Sequence, residues 1–442
     1  MIRLFRVFVP VGALALLFSE ILLITSCFLA VTFAMLQVDP AVFLLDDRGI
    51  LRIAVVLGSI LFGLFFEDLY EHIYVKSRVL LLQQLSLVMG IALVIQGIIS
   101  YIDDGFRLPL MVMVPASGVL IVALYGWRVV YSALVLRVVG AHRILFVGAS
   151  PLIREMARHI AAHPEIGMCV AGYVDDGGPH ADGERNVLGP LRALPEVAAA
   201  VKPDRIVVGF ADRRRQMPIP ALLRLRYAGL AIEEAASAYE QLCGRVLLSE
   251  LRPAQVVLSG AFRPRSEGKV FQTSLNWLAA LILTVVSAPV LLAAVALLKL
   301  SSHGPALQRK VCLGLRGQTF PMFTLRTDPR GGAQSFVRRW RLDALPQLWN
   351  VLRGEMAFVG PRAERPEFAA ALSAAIPFYR QRYRVKPGLT GWAQINTPPD
   401  DPEDTLRRLE YDFYYLKNAS RGLDTYILVH TVKRILLGEA AR

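Results

Sequence analysis

The stretch Phe336–Arg365, FVRRWRLDALPQLWNVLRGEMAFVGPRAER, crowds arginines around one aspartate. Arg338, Arg339 and Arg341 precede Asp343, and Arg353 and Arg362 follow it. Leu342, Leu345, Trp349 and Leu352 recur at helical spacing, which predicts a short amphipathic helix. Proline is tolerated only in a first turn, so Pro346 sets the helix start near Asp343, and Gly354 marks its stop. A carboxylate at a helix start beside guanidinium groups is expected to stay ionised. Such an acid is either the centre of a structural ion-pair network or a nucleophile facing a phosphorylated substrate. Charge alone leaves both readings open.

Three blocks, in this order, carry a resemblance: LDALPQLWNVLRGEMAFVGPR (342–362), KPGLTGWAQIN (386–396) and YDFYYLKNASRGLD (411–424). They resemble the signature of the bacterial sugar transferases, the polyprenyl-phosphate glycosyl-1-phosphate transferases, whose first block reads LDELPQL-NVL-G-MS-VGPRP. The resemblance implies transfer of a sugar phosphate from a UDP-sugar to membrane-bound undecaprenyl phosphate, with release of UMP, as the first step of exopolysaccharide assembly. It implies Asp343 as nucleophile, with Arg338 and Arg362 binding phosphate, a task that suits arginine's bidentate fork. Arg326, Gln394 and Asn396 are candidate substrate contacts, although a surface-loop role suits Gln394 and Asn396 equally. Magnesium is expected to arrive with the diphosphate, with Asp343 as a candidate ligand. Gly360-Pro361-Arg362 and Pro387–Gly391 look like tight turns that could offer N–H groups to phosphate. The alternating Arg380, Arg382, Arg384 and Lys386 read as a solvated or lipid-facing strip. Polysaccharide-assembly proteins are possible further partners, and nucleic acid is not expected.

The chain departs from the family's pattern in three places. Ala344 stands where the family carries a glutamate beside the nucleophile. In Gln308–Thr327, QRKVCLGLRGQTFPMFTLRT, Thr324 and Leu325 replace a lysine and a phenylalanine, and an acidic portion that normally follows is lost. Gln272 replaces a common aspartate. Asp328, Glu355, Glu364 and Glu367 are candidates to supply the missing carboxylate. Two function classes follow: an active phosphoglycosyl transferase, or a weakened homologue acting as a membrane scaffold or regulator. A nucleotide-sugar dehydratase would need a Y-x-x-x-K pair, and no tyrosine here has lysine four residues on.

Composition fits a membrane protein. Of 442 residues 54% are hydrophobic and 19% charged, with a net charge of +13, and the mean hydropathy is +0.45. Cys27, Cys169, Cys243 and Cys312 lie far apart, which argues against zinc and against a disulfide framework. No histidine lies between His303 and His430, so the Asp343 segment has no histidine base. A lipid phosphate, already anionic, needs none.

Outward from that segment, the expected fold is a four-span membrane α-helical bundle (1–138), an α/β Rossmann-like module (139–262) and a mainly α catalytic domain (263–442). Apolar stretches at 7–36, 50–66, 79–100 and 108–130 each approach the ~20 residues that cross a bilayer. Arg3, Arg6, Lys76, Arg78, Arg128, Arg137 and Arg143 fall on one side, and Asp39, Asp46, Asp47, Asp103 and Asp104 on the other. That asymmetry puts both ends of the bundle in the cytoplasm, and the resemblance implies a bacterial inner membrane. Glu20, Glu67 and Asp68 read as helix-end or interfacial charges, with Glu20 the one mid-span candidate. RILFVGA (143–149), MCVAGYVDD (168–176) and RIVVGF (205–210) read as buried strands of a parallel sheet. Gly148 stands alone where a dinucleotide loop wants G-x-G-x-x-G, so a structural or regulatory role is expected for this module. Residues 211–253 resemble the linker of long sugar transferases found with exosortase (PEP-CTERM) systems. A fifth apolar segment, 275–300, is interrupted by Pro289 and is expected to form a re-entrant helix hairpin (270–300) that keeps both soluble parts cytosolic.

Overall fold

The computed structural model describes residues 2–4, 7–9, 11–35, 42–46, 48–70, 77–106, 108–138, 142–148, 150–163, 167–176, 186–210, 217–248, 269–301, 304–326, 332–376, 378–397 and 405–437. Two compact units result, in the main Phe8–Glu233 and Glu234–Arg442. The division falls ahead of the expected boundary at 262/263.

The first unit opens with α1 (Val11–Met35), α2 (Gly49–Phe66), α3 (Arg78–Ile102) and α4 (Leu110–Val138). Each is long and apolar enough to cross a membrane. Their shared core includes Ile24, Phe28, Val56, Ile60, Leu85, Val88, Leu120 and Leu124. Leu22, Met111 and Val122 face outward, as side chains in lipid do. Glu20 is not an interfacial charge: it is fully buried, and Arg128 Nε lies 2.7 Å from its Oε1. Arg128 also donates to the Leu69 carbonyl at 2.8 Å. Burial without a partner would cost several kcal/mol, so the two charges fix α1 against α4. Arg128 therefore does not act as the loop cation expected of it.

The same unit continues into a five-stranded sheet of β1 (His142–Val147), β2 (Met168–Val174), β3 (Val187–Gly189), β4 (Arg205–Val208) and β5 (Ala231–Glu234). The order is β3-β2-β1-β4-β5, and β1 pairs in parallel with β2 and β4. Leu145, Phe146 and Val147 are fully buried, as a parallel strand covered on both faces requires. Helices α5 (Pro151–Ala162), α6 (Leu194–Val201) and α7 (Ile219–Tyr227) connect the strands. The switch point of such a sheet lies between β1 and β4. There a Cβ on Gly148 would sit 2.4 Å from the Gly209 carbonyl oxygen, so the two loops close on each other. Asp176 accepts from Leu191 N–H at 2.7 Å, 15 residues along the chain, and ties the end of β2 to the start of the turn ahead of α6.

The second unit begins inside the segment read as a linker, with α8 (Ala235–Cys243) directly after β5. Next comes α9 (Lys269–Ser301), a single helical run of 33 residues with Pro289 inside it. Its full length is ~50 Å, well beyond a ~30 Å hydrocarbon core. Ala280, before the proline, packs with Leu348 and Val351. Ala294 and Leu298, after it, pack with Ala306, Leu325 and Val337. Both arms thus rest on the same domain.

That domain adds the antiparallel hairpin β6 (Leu307–Leu313) and β7 (Thr319–Leu325). After it come α10 (Gly332–Arg339), α11 (Leu348–Leu352) and β8 (Ala357–Val359). The chain continues through α12 (Pro366–Ala375), β9 (Gly388–Thr390) and α13 (Trp392–Asn396). It closes with α14 (Thr405–Asn418) and α15 (Arg421–Leu436). Phe413, Leu423, Ile427 and Tyr379 anchor the core.

Candidate active site

Asp343 lies in a 3-10 turn, Leu342–Gln347, and α11 begins only at Leu348. The α-helix therefore starts later than expected. Pro346 has no N–H to give and crowds the preceding turn, so the α ladder forms only beyond it. Gly354 ends the helix as expected, its N–H bonded to the Val351 carbonyl. Arg341, just ahead of the turn, takes the left-handed conformation (φ 54°), which a non-glycine residue holds only at a cost. Asn350 is fully buried. It donates to the Pro321 carbonyl at 2.7 Å and accepts from Phe323 N–H at 3.2 Å, tying α11 to the β6–β7 hairpin.

The two glycine-rich segments form a parallel ladder between β8 and β9. Gly360 N–H donates to the Thr390 carbonyl at 2.9 Å and Gly388 N–H to the Pro361 carbonyl at 3.0 Å. Those N–H groups are committed to the ladder and are not offered to a phosphate. A Cβ on Gly388 would lie 2.2 Å from Gly360 N, which explains the glycines by close backbone approach. The ladder brings Arg362 to a cavity of about 520 Å³, lined by the cations Lys310, Arg341, Arg362, Arg365, Arg382, Arg408 and Arg434 and by the acids Glu364 and Asp412.

Asp343 is half-buried beside this cavity rather than on its lining, and its Oδ1 is buried with no hydrogen-bond partner among the described residues. Burial pushes its pKa up. Arg341, then its own backbone N–H, then Arg338 and Lys310 pull it back down. The expectation of a simply stabilised anion is thus corrected, because desolvation outweighs the helix start and the arginines. Arg341 is not locked onto Asp343: its Nη2 donates to Gln394 Oε1 at 3.2 Å. Burial lowers the Arg341 pKa, Asp343 opposes this, and Arg362 and Arg434 add to the lowering. Arg434 Nη1 donates to the Gln394 carbonyl at 2.8 Å.

The remaining candidates divide. Arg338 is exposed at the end of α10 and acts on Asp343 through charge. Gln394 lines the cavity. Asn396 does not: it is exposed, and its amide donates to the Trp392 carbonyl at 2.8 Å. Arg326 follows β7, its guanidinium against Gly304, and is also absent from the lining. Of the candidate replacement carboxylates, Glu355 accepts from Asn350 Nδ2 at 2.6 Å. Glu364 is paired with Arg382 and Tyr379. Glu367 is exposed in the first turn of α12, and Asp328 lies outside the described residues.

Sequence reasoning placed Arg382 in a solvated strip, but it is 5% exposed. It pairs with Asp412 at 3.0 Å and donates to the Tyr379 hydroxyl at 2.8 Å and the Arg362 carbonyl at 3.1 Å. Burial pushes Asp412 up to about 6 against the pull of Arg382, with Glu364 adding to the rise. The network braces the backbone of Arg362. Alternating charge in a basic run carries no sign of burial, so only the neighbouring YD block could have pointed to it.

Among the described residues no three His, Cys, Asp or Glu side chains converge as a metal site. Asp343 Oδ1 is one carboxylate oxygen with no hydrogen bond among the described residues, and Ala344 adds none. This donor set fits magnesium carried in on a diphosphate, where one carboxylate ligand suffices.

Residues 267–438 match the bacterial sugar transferase family. A UDP-N-acetylgalactosamine-undecaprenyl-phosphate N-acetylgalactosaminephosphotransferase of Aeromonas hydrophila is 33% identical over 50% of this chain and 56% of its own length. An undecaprenyl-phosphate glucose phosphotransferase of Komagataeibacter xylinus is 31% identical over 68% of this chain and 60% of its own. The chain thus spans little more than half the length of these two relatives. A UDP-glucose:undecaprenyl-phosphate glucose-1-phosphate transferase of Caulobacter vibrioides is 35% identical over 80% of its length and 43% of this chain. With the Asp343 block, the glycine ladder and the arginine-lined cavity in one domain, these matches fix the kinship: the chain belongs to the bacterial sugar transferase family.

Proposed function

We propose that this chain transfers a sugar 1-phosphate from a UDP-sugar to undecaprenyl phosphate, releasing UMP, at the start of exopolysaccharide assembly. The carrying observation is Asp343 Oδ1, buried and without a hydrogen bond among the described residues, beside a cavity walled in part by Lys310, Arg341 and Arg362. A carboxylate oxygen of Asp343 attacks the sugar-bearing phosphorus, and the bond to the UMP oxygen breaks. A phosphosugar remains on the enzyme. An oxygen of the lipid phosphate then attacks the same phosphorus and expels the Asp343 carboxylate. Charge grows on phosphoryl oxygens in both steps, where Arg338, Arg341 and Arg362 neutralise it. Magnesium bound to the diphosphate, with Asp343 as its protein ligand, would screen the negative charge of the departing UMP. The relatives are named for different sugars, N-acetylgalactosamine in one and glucose in another.

The setting is the bacterial inner membrane, with four spans, both of their ends cytosolic, and α9 re-entrant. That reading of α9 is supported by the two arms packing on one domain. A single crossing by α9 would also separate the catalytic domain from the parallel-sheet module. The likeness of the linker to exosortase-associated transferases suggests that system as the setting. A second reading, a weakened homologue serving as scaffold, draws on Ala344 and on Glu355 and Glu364 being engaged elsewhere. UMP release from UDP-glucose and UDP-N-acetylgalactosamine with undecaprenyl phosphate decides between them. Wild type should exceed Asp343→Asn by at least about 10³-fold. Equal rates would establish the scaffold reading.

A further inference from the structure

We infer that α8 and the turn after it belong to the catalytic machinery as a positioning device, acting through Trp392 to hold α13 and with it Gln394. The inference rests on the proposed transferase reading and adds a segment that lies ahead of the family match at 267–438.

The helix α13, Trp392–Asn396, has five residues. A helix that short cannot hold itself in water, because nucleation is unfavourable and few bonds repay it. Its orientation must come from its anchors. Midway along it Arg434 donates to the Gln394 carbonyl. At its start, the Trp392 indole is stacked on Tyr414, ring centres 5.6 Å apart, and donates through Nε1 to the Gly244 carbonyl at 2.7 Å. Gly244 ends α8 in the left-handed region (φ 63°), and a Cβ there would approach the Trp392 ring to 3.2 Å. Both the backbone angle and the space call for glycine.

Further contacts hold α8 in place. Lys417 Nζ reaches both carboxylate oxygens of Glu240, at 2.7 and 2.8 Å. Val246 N–H donates to the Glu410 carbonyl at 3.1 Å. Val246 and Leu248 are buried in the catalytic core. The path from Gly244 to Trp392 to Gln394 ends on Arg341, the cation closest in influence to Asp343.

The test uses the 442-residue chain in lipid nanodiscs. Trp392→Phe keeps a stacked ring and removes the donor. It should lower kcat for UMP release about tenfold, the scale of one lost buried hydrogen bond at a positioned group. Gly244→Ala should act in the same direction. Gln394→Ala combined with Trp392→Phe should be no slower than Gln394→Ala alone. A merely structural role would instead multiply the two effects, and that result overturns the inference. Amide exchange at 394–397 supplies a readout independent of activity. It should quicken in Trp392→Phe even if wild type releases no UMP, in which case the transferase reading fails and the clamp stands. Unchanged exchange at those amides overturns the clamp whatever the rates.

Discussion

Two buried acids divide the chemistry of this chain. Glu20, in the membrane bundle, is in direct contact with Arg128, whose Nη2 donates to its Oε2 at 3.1 Å and whose Nε lies 2.7 Å from its Oε1. Asp343, in the sugar transferase domain, keeps an oxygen without a hydrogen bond among the described residues, while its strongest cationic neighbour, Arg341, bonds Gln394 instead. Both acids pay desolvation, but only the first is repaid by contact. An ion pair in direct contact locks helices together; an acid whose cations act from longer range keeps a carboxylate oxygen unbonded.

The comparison breaks if Asp343→Asn retains UMP release or loses stability. The expected result is activity down at least about 10³-fold with a thermal midpoint unchanged or raised. Arg128→Met strands Glu20 and should cost about 3–5 kcal/mol of stability. Unfolding in detergent checks this, and adding Glu20→Met should restore most of the loss. Arg341→Met sharpens the contrast. It should lower kcat/KM for the UDP-sugar by about 30-fold, roughly 2 kcal/mol. Arg341 opposes the upward push of burial on Asp343, so its removal raises that pKa further. The ionised Asp343 carboxylate is then lost at a higher pH, and the acid limb of the rate profile should move up. Ala344→Glu restores a second acid beside the nucleophile. It should reduce the magnesium needed for half-maximal UMP release by about tenfold if the metal lies on the diphosphate.

The smallest effect concerns Asp412. Its pKa rises from 3.8 in the unfolded reference to about 6, so the folded chain holds that proton more tightly. Its contribution is complete below 3.8 and is lost as pH rises through about 6. Asp412→Asn should therefore gain on wild type between those limits and keep a constant difference above them, as denaturant titrations across pH would reveal.

Local pattern revealed what local forces decide. RILFVGA declared a buried strand because a parallel sheet needs unbroken apolar side chains. Asp343 and Arg362 stood out because their blocks are contiguous. Ala231–Glu234 and α8 were read as linker, since a short edge strand of alternating character and a nine-residue helix carry little signal. Arg434 and Lys310 reach the cavity from elements far along the chain, and only tertiary packing brings them there. The start of α11 was misjudged because Pro346 suits a first turn of either helix type.

The backbone press at Gly360, Gly388 and Gly391 bears on engineering. A Cβ at any of the three would collide with main-chain atoms at 2.2–2.4 Å. A library built to change sugar preference should leave these positions fixed and diversify the cavity wall instead. Selection could then roam over the donor without unseating the hinge-like seam on which the pocket is hung.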